Sequence, residues 1–373
     1  MLLIGAGVVG RAIAEAHLSR GLAFCLADRD PQAIASVSEW LIGQGADVAH
    51  CESPIKDLSM VVVAGDRSPE SGLLVIESIL EDVGAKRGLF GELQRSVGPG
   101  TVLCTNTSTL LISDIASDDL VSPEQVVGLH FFMPVAQRSA VEVVAGDRSS
   151  SVAVARATEH AKRLGKRAVH CKDGPGFIVN RILSPYLNQA LVLLCRGATA
   201  AQIERVARAY GMPLSPLELI DWIGIPTMYH AGKAYWLAFP KRIAPSPLVP
   251  ALLKRKRLGR ASGEGLYDYS GNLRSDELSP LVRELIETYR VDGREFSDGD
   301  VLKLLSIPMW IEANKLIQEG VADSMETVDL AVVGGLGFSS SQLWSEFFSE
   351  LGESQIRNAI HDWKDEFCSM AEG

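Results

Sequence analysis

Met1-Leu2-Leu3-Ile4-Gly5-Ala6-Gly7-Val8-Val9-Gly10-Arg11-Ala12-Ile13-Ala14 opens the chain and decides how its first half is read. A short apolar run that enters a GxGxxG turn and leaves with helical spacing describes a strand, a tight turn and a helix. Glycines at such a turn permit a sharp reversal and let a pyrophosphate approach the N–H groups at the helix N-terminus. Ala23-Phe24-Cys25-Leu26 reads as the next strand, and Asp28 stands at its end. A carboxylate there accepts both hydroxyls of an adenosine ribose and repels a 2′-phosphate, so NAD is favoured over NADP. The cofactor-binding candidates are therefore Gly5, Gly7, Val8, Val9, Gly10 and Asp28, with Arg29 the one neighbour able to meet a 2′-phosphate. Only four residues precede Gly5, a short strand for the centre of a sheet, which leads us to expect a longer ancestor or a start placed late.

Outward from this turn, apolar strands alternate with helical patterns to about Cys171, the signature of a doubly wound parallel sheet. The further strands expected are Leu73–Ile76, Thr101–Cys104, Val126–Leu129 and Ala140–Val144. Met60-Val61-Val62-Val63 is strand-like where a helical excursion belongs, and the seven residues Val62–Ser68 recur as Val143–Ser149 without flanking similarity. That recurrence reads as reuse of a strand-end turn. From Gly174 onward the spacing is helical, as in 178–196, 200–210 and 307–319, and the Gly/Tyr-rich stretch 259–272 marks a break between two helical units.

A length of 373 residues accommodates two or three domains, and 47% hydrophobic with 22% charged residues is globular composition. The net charge of −10 argues against nucleic acid or an anionic membrane as the main partner. Cys25, Cys51, Cys104, Cys171, Cys195 and Cys368 have no CxxC or metal-ligand spacing, so we expect reduced thiols and no metal. No targeting peptide or apolar run of transmembrane length is visible; a soluble, cytoplasmic protein without membrane insertion is expected.

His130 and Glu142 are embedded in apolar, strand-like sequence, where two ionisable side chains must find each other or go unsatisfied. Taken alone, they read as a core histidine satisfied by a carboxylate. Paired, a carboxylate on one imidazole nitrogen raises the basicity of the other and makes a general base. Asn106-Thr107-Ser108 follows a strand, and Asp173-Gly174-Pro175-Gly176-Phe177-Ile178-Val179-Asn180-Arg181 opens the helical half. By itself Ser108 reads as a helix cap and Asn180 as a satisfied helix polar group. With the His/Glu pair they describe an oxygen-binding cluster at a domain interface.

These motifs together resemble the NAD-dependent 3-hydroxyacyl-CoA dehydrogenase family, in family order and at family spacing. Gly259–Tyr269 resembles the end of that family's helical C-terminal domain. Ile307–Val321 and Val332–Phe338 resemble a second copy, as in the dehydrogenase half of multifunctional fatty-acid β-oxidation enzymes. The resemblance implies a Rossmann-type α/β domain over 1–172, then an all-α region of two helical units, 173–290 and a divergent 291–373. It implies His130 as the base toward a 3-hydroxyl, Glu142 as its orienting carboxylate, and Ser108 and Asn180 as donors around the reacting oxygen. Glu81 and Lys86 match a Glu/Lys pair near the nicotinamide ribose, and Asn106 is a further cofactor-binding residue. An acyl-CoA substrate is implied, with a second copy of the chain or other β-oxidation enzymes as partners. Open beside this reading stand a catalytically weak NAD-binding scaffold and a hydroxy-acid dehydrogenase that does not use CoA.

The chain departs from the family pattern at three places. Met133 stands where the family has an asparagine, so an apolar side chain replaces an amide near the imidazole. Arg29–Leu73 is short and carries one lysine, Lys56, where the family has a longer lysine-bearing helical hairpin that clasps CoA. Phe338-Ser339-Ser340-Ser341 replaces an aromatic, glycine-rich continuation.

Overall fold

The computed structural model describes residues 1–53, 55–66, 72–98, 100–240, 242–291 and 293–367. It forms two compact units, Met1–Phe177 with Val321–Asp323, and Ile178–Gly320 with the chain from Ser324 onward.

Among the described residues, the first unit is built on nine strands, β1 (Leu2–Ile4), β2 (Phe24–Asp28), β3 (Val48–Cys51), β4 (Ser59–Val63), β5 (Leu74–Glu77), β6 (Val102–Thr105), β7 (Val126–Phe131), β8 (Ala140–Ala145) and β9 (Arg167–Lys172). Their order in the sheet is β3-β4-β2-β1-β5-β6-β7-β8-β9. Strands β2, β1, β5, β6 and β7 run parallel, and every residue of β1, β5, β6 and β7 is buried. Burial on both faces explains why these strands read as unbroken apolar runs. Among the described residues, its α-helices are α1 (Val8–Leu18), α2 (Pro31–Gly43), α3 (Val83–Val97), α4 (Ile112–Ile115) and α5 (Ser151–Arg163). Ile13 and Ala14 of α1, Val37 and Leu41 of α2, and Ala153, Ala157 and Ala161 of α5 join the strands in one apolar core. Asp30, Asp82 and Ser150 cap α2, α3 and α5 with their side chains, whereas α1 has no side-chain cap on its N-terminus.

The sheet differs from a purely parallel one in two places. The Met60–Val63 run is β4, antiparallel to β2, and it carries β3 as the edge strand. Val61 and Val63 turn inward while Val62 is 36% exposed, the alternation of a strand with one covered face. A single helix and this hairpin thus occupy the segment expected to be a shortened helical hairpin. Second, β7 and β8 pair antiparallel, because the residues between them are too few for a crossover helix. Strands β3 and β9 were not expected from sequence; β9 alternates inward Val169 and Cys171 with outward Arg167, His170 and Lys172, so it lacks an apolar run. The described parts of the repeated heptapeptide run off the ends of β4 and β8; Arg67 and Ser68 lie outside the described residues.

One buried pair joins α1 to α5. His17 Nδ1 donates to the Ile13 carbonyl at 2.7 Å, so its Nε2 accepts from His160 Nε2 at 2.9 Å. Burial, more than the neighbouring Arg163, pushes the His17 pKa down to about 4 and holds His160 well below its usual 6.5. Both imidazoles resist a proton that the unfolded chain takes up near pH 6.5, so their contribution is intact above that pH and is lost toward pH 4. For His17 alone the loss is about 3 kcal/mol. Urea unfolding followed from about pH 7.5 to about pH 4.5 should show this decline, and a shallower one in His160→Gln. Equal slopes in the two proteins would mean that other groups drive acid unfolding.

The second unit contains α6 (Val179–Arg196), α7 (Ala200–Tyr210), α8 (Pro216–Ile223), α9 (Ile225–Ala238), α10 (Leu248–Lys254), α11 (Pro280–Thr288), α12 (Asp298–Gln318), α13 (Met325–Ala331), α14 (Trp344–Leu351) and α15 (Glu353–Asp362). Among the described residues, its regular structure is helical apart from one small antiparallel ladder, Tyr269–Ser270 with Leu273–Arg274. Its long helices α6 and α12 pack on each other, and each contains an internal proline, Pro185 and Pro308. Each proline stands equally far before a left-handed glycine, Gly197 and Gly320. The expected boundary at 290 falls between α11 and α12, inside this compact unit.

A buried ion network holds the start of α6. Arg181 pairs with Glu312 and, at 2.5 Å, with Glu319; Arg242 pairs with the same two carboxylates; and Tyr235 donates to Glu312 at 2.7 Å. Arg181 and Glu312 are buried, and both guanidinium groups lie over the Phe239 ring.

Candidate functional site

The parallel strands deliver a row of polar groups to one edge of the sheet, because the carboxyl ends of β2, β1, β5, β6 and β7 lie side by side. Gly5 (φ +110°) starts the turn after β1, where a Cβ would meet the Ser78 carbonyl oxygen at 2.4 Å. A Cβ on Gly10 would sit 1.8 Å from the Gly5 carbonyl oxygen, so this turn closes on α1 only with glycine at both positions. Gly7, by contrast, faces open space. The uncapped N-terminus of α1 therefore opens on a bare backbone cradle able to take a phosphate. At the end of β2, Asp28 Oδ2 accepts from the Ala6 N–H at 2.6 Å and Oδ1 from the Asp30 N–H at 2.8 Å. These bonds fix the carboxylate beside the turn, where a dinucleotide's ribose belongs.

On the other side of β1, Lys86 has as its nearest partner Glu77, the last residue of β5, at 2.6 Å; Glu81 is 3.4 Å away. Glu77 is completely buried and also accepts from Thr105 Oγ1 at 2.7 Å and the Ile79 N–H at 2.7 Å. Glu77 was not singled out from sequence; a carboxylate closing an apolar strand just ahead of a lysine-bearing helix was the available signal. Glu81 Oε1 accepts from Thr107 Oγ1 at 2.6 Å, Thr109 Oγ1 at 2.9 Å and the N–H groups of Ser108 and Thr109 at 3.1 Å. Burial alone would raise the Glu81 pKa, but the donors from Thr107, Lys86, Thr109 and Ser108 hold it below its ordinary value. Glu81 thus shapes the loop that carries Ser108.

Asn106 receives its position from both sides: its N–H donates to the Glu77 carbonyl at 2.8 Å, and its Oδ1 accepts from the Phe131 N–H at 2.8 Å. The 106–108 segment is thereby tied to β7 beside His130. Strand register then sets His130 of β7 directly opposite Glu142 of β8, with Nδ1 to Oε2 at 2.6 Å. Glu142 is fully buried and His130 is 6% exposed. The rings of Phe132 and Phe177 stand 5.0 Å and 5.8 Å from the imidazole and restrict it. With Nδ1 engaged, Nε2 is the nitrogen that can exchange a proton. Phe177 holds a left-handed φ of 50° at the chain reversal, a strained conformation for a buried aromatic residue. Asp173, ahead of it, accepts from the N–H groups of Ile112 and Ser113 at 3.0 Å and 2.8 Å.

Gly5, Gly7, Val8, Val9, Gly10, Asp28, Glu81, Lys86, Asn106, Ser108, His130 and Glu142 all belong to the first unit. Asn180 belongs to the second, in the first turn of α6 next to Arg181. Met133 lies just past β7, 43% exposed, and its carbonyl accepts from Arg138 Nε at 3.2 Å. Cys25, Cys51, Cys104, Cys171 and Cys195 form no disulfide among the described residues, and Cys368 lies outside them. Among the described residues, no cluster of His, Cys, Asp and Glu could hold a metal, and no helix is long and apolar enough to cross a membrane.

The model of the 3-hydroxyacyl-CoA dehydrogenase NAD-binding domain matches residues 1–174, and that of the C-terminal domain matches residues 176–269. The fatty acid oxidation complex subunit alpha of Pseudomonas savastanoi pv. phaseolicola is 30% identical over 349 residues, which is 90% of this chain and 48% of that protein. The chain thus spans about half the length of the curated relatives it matches. The crystal structure of 3-hydroxybutyryl-CoA dehydrogenase from Escherichia coli K12 superposes with a TM-score of 0.75 at 23% identity, over 100% of this chain and 97% of that one. That of (S)-3-hydroxybutyryl-CoA dehydrogenase from Ralstonia eutropha has a TM-score of 0.60 at 28% identity, covering 72% of this chain and 98% of that one.

Proposed function

The chain belongs to the 3-hydroxyacyl-CoA dehydrogenase family, and on that premise we propose that it oxidises a 3-hydroxyacyl-CoA to the 3-ketoacyl-CoA with NAD. The observation that carries the reading is the buried His130–Glu142 pair at the same sheet edge as the glycine cradle and Asp28.

His130 Nε2 takes the proton of the substrate's 3-hydroxyl. Glu142, bonded to Nδ1, fixes the tautomer and stabilises the imidazolium that forms. As the proton leaves, the C3–O bond becomes a carbonyl and the C3–H electron pair departs as hydride, which NAD supplies the capacity to accept. Ser108 donates a hydrogen bond to the reacting oxygen, and Lys86 borders the nicotinamide half of the site. In the reverse direction His130 returns its proton to the alkoxide. The protein's own work is orientation and the movement of one proton. We place this activity in cytoplasmic fatty-acid β-oxidation, beside partner enzymes of that route.

Incubation with NAD and 3-hydroxybutyryl-CoA, longer 3-hydroxyacyl-CoAs and free 3-hydroxy acids tests the reading. Turnover of the thioesters is expected, with NAD(H) bound more tightly than NADP(H) because Asp28 occupies the place of a 2′-phosphate. Turnover of free acids alone would make it a hydroxy-acid dehydrogenase that dispenses with CoA. NAD binding with no turnover of either would leave an NAD-binding scaffold, and equal NADP(H) affinity would hand the ribose pocket to Arg29.

A further inference from the structure

Glu77, Lys86 and Glu81 form a charge cluster in which two carboxylates face one ammonium. Glu77 and Lys86 are almost entirely withdrawn from solvent, and Glu81 is at the rim with its side chain 37% exposed. The donors of Thr105, Thr107 and Thr109 are neutral, so they orient the carboxylates without cancelling their charge. Counted over its three ionised side chains, the cluster has a net charge of −1.

Its place in the fold says what that charge acts on. Asp28, at the end of β2, marks the ribose on one side of β1, and the glycine turn after β1 marks the pyrophosphate. His130, at the end of β7, marks where the substrate's carbon must meet the hydride acceptor. Between β1 and β7 lie only β5 and β6, whose carboxyl ends carry Glu77, Thr105 and Asn106. The redox-active half of a dinucleotide that reaches His130 must cross this cluster. An oxidised nicotinamide ring bears a positive charge and a reduced one is neutral, whereas the phosphates and riboses are the same in both.

We infer that the Glu77–Lys86–Glu81 cluster biases the site toward the oxidised cofactor, with Glu77 as the positioning residue that holds Lys86 and completes the net negative charge. This rests on the NAD-dependent reading above and goes beyond it, because it assigns the cluster a role in the balance between oxidised and reduced cofactor. One charge acting at a partly buried distance shifts such a balance by about three- to tenfold.

Calorimetric titration of the full chain with NAD+ and with NADH gives the ratio of their dissociation constants, in which contacts to phosphate and ribose cancel. Glu77→Gln and Glu81→Gln each remove a negative charge and should raise Kd(NAD+)/Kd(NADH) about three- to tenfold. Lys86→Met removes the positive charge and should lower the ratio. The rim residue Glu81 and the opposite sign at Lys86 keep the test decisive if Glu77→Gln fails to fold. Equal weakening of both cofactors in the variants would overturn the inference and leave the cluster a purely structural brace. Failure of the unaltered chain to bind either cofactor would instead remove the NAD-dependent reading itself.

Discussion

Replacing His130 by glutamine is expected to lower the rate of 3-hydroxyacyl-CoA oxidation about 100- to 10,000-fold. Glutamine keeps a polar group of similar reach but cannot take up a proton, so the chemical step loses its base. Glu142→Gln should act in the same direction, because the imidazolium formed in the step would lose the carboxylate 2.6 Å from its Nδ1. Neither side chain lies at the glycine cradle or at Asp28, so NAD affinity should stay close to that of the unaltered protein. Steady-state rates with a short-chain 3-hydroxyacyl-CoA and a separate NAD titration make the comparison. Most of the activity surviving in His130→Gln would show that the pair is only a satisfied core contact.

The second large effect concerns stability. Arg181→Met should destabilise the helical unit by about 3–5 kcal/mol, because a buried carboxylate that loses one of its cations cannot be rehydrated. Glu312 is fully buried and would be left with Arg242 and Tyr235, while Glu319 would lose its contact with the first turn of α6. The double variant Arg181→Met/Glu312→Gln should recover part of the loss, since it also removes the stranded charge. Urea denaturation of the three proteins measures both quantities. A single variant within about 0.5 kcal/mol of the parent would show that Arg242 alone neutralises the network.

Much of the site was legible in the sequence for identifiable reasons. The glycine turn reveals itself because only glycine permits the approaches of Gly5 to Ser78 and of Gly10 to Gly5. His130 and Glu142 could be paired across twelve residues because ionisable groups set in apolar strands must be matched by a partner of opposite character. Glu77 escaped notice because its importance comes from Lys86, which a helix brings back over the strand end. The hold of Glu81 Oε1 on the loop 107–109 escaped notice for the same reason, because the fold alone brings that loop to it.

Local sequence by itself determined the α/β half, the helical half, the glycine turn and the pairing of His130 with Glu142. These depend on period, on turn chemistry and on the rule that buried charges must be matched, all of which act over short stretches. Tertiary structure alone decided that β4 runs antiparallel beside β2, that β9 extends the sheet, and that Lys86 is held by Glu77. Strand partners and buried ion pairs are chosen among segments far apart in the chain. The free energy of each choice resides in the register and in the burial that the whole fold creates, which no single stretch contains.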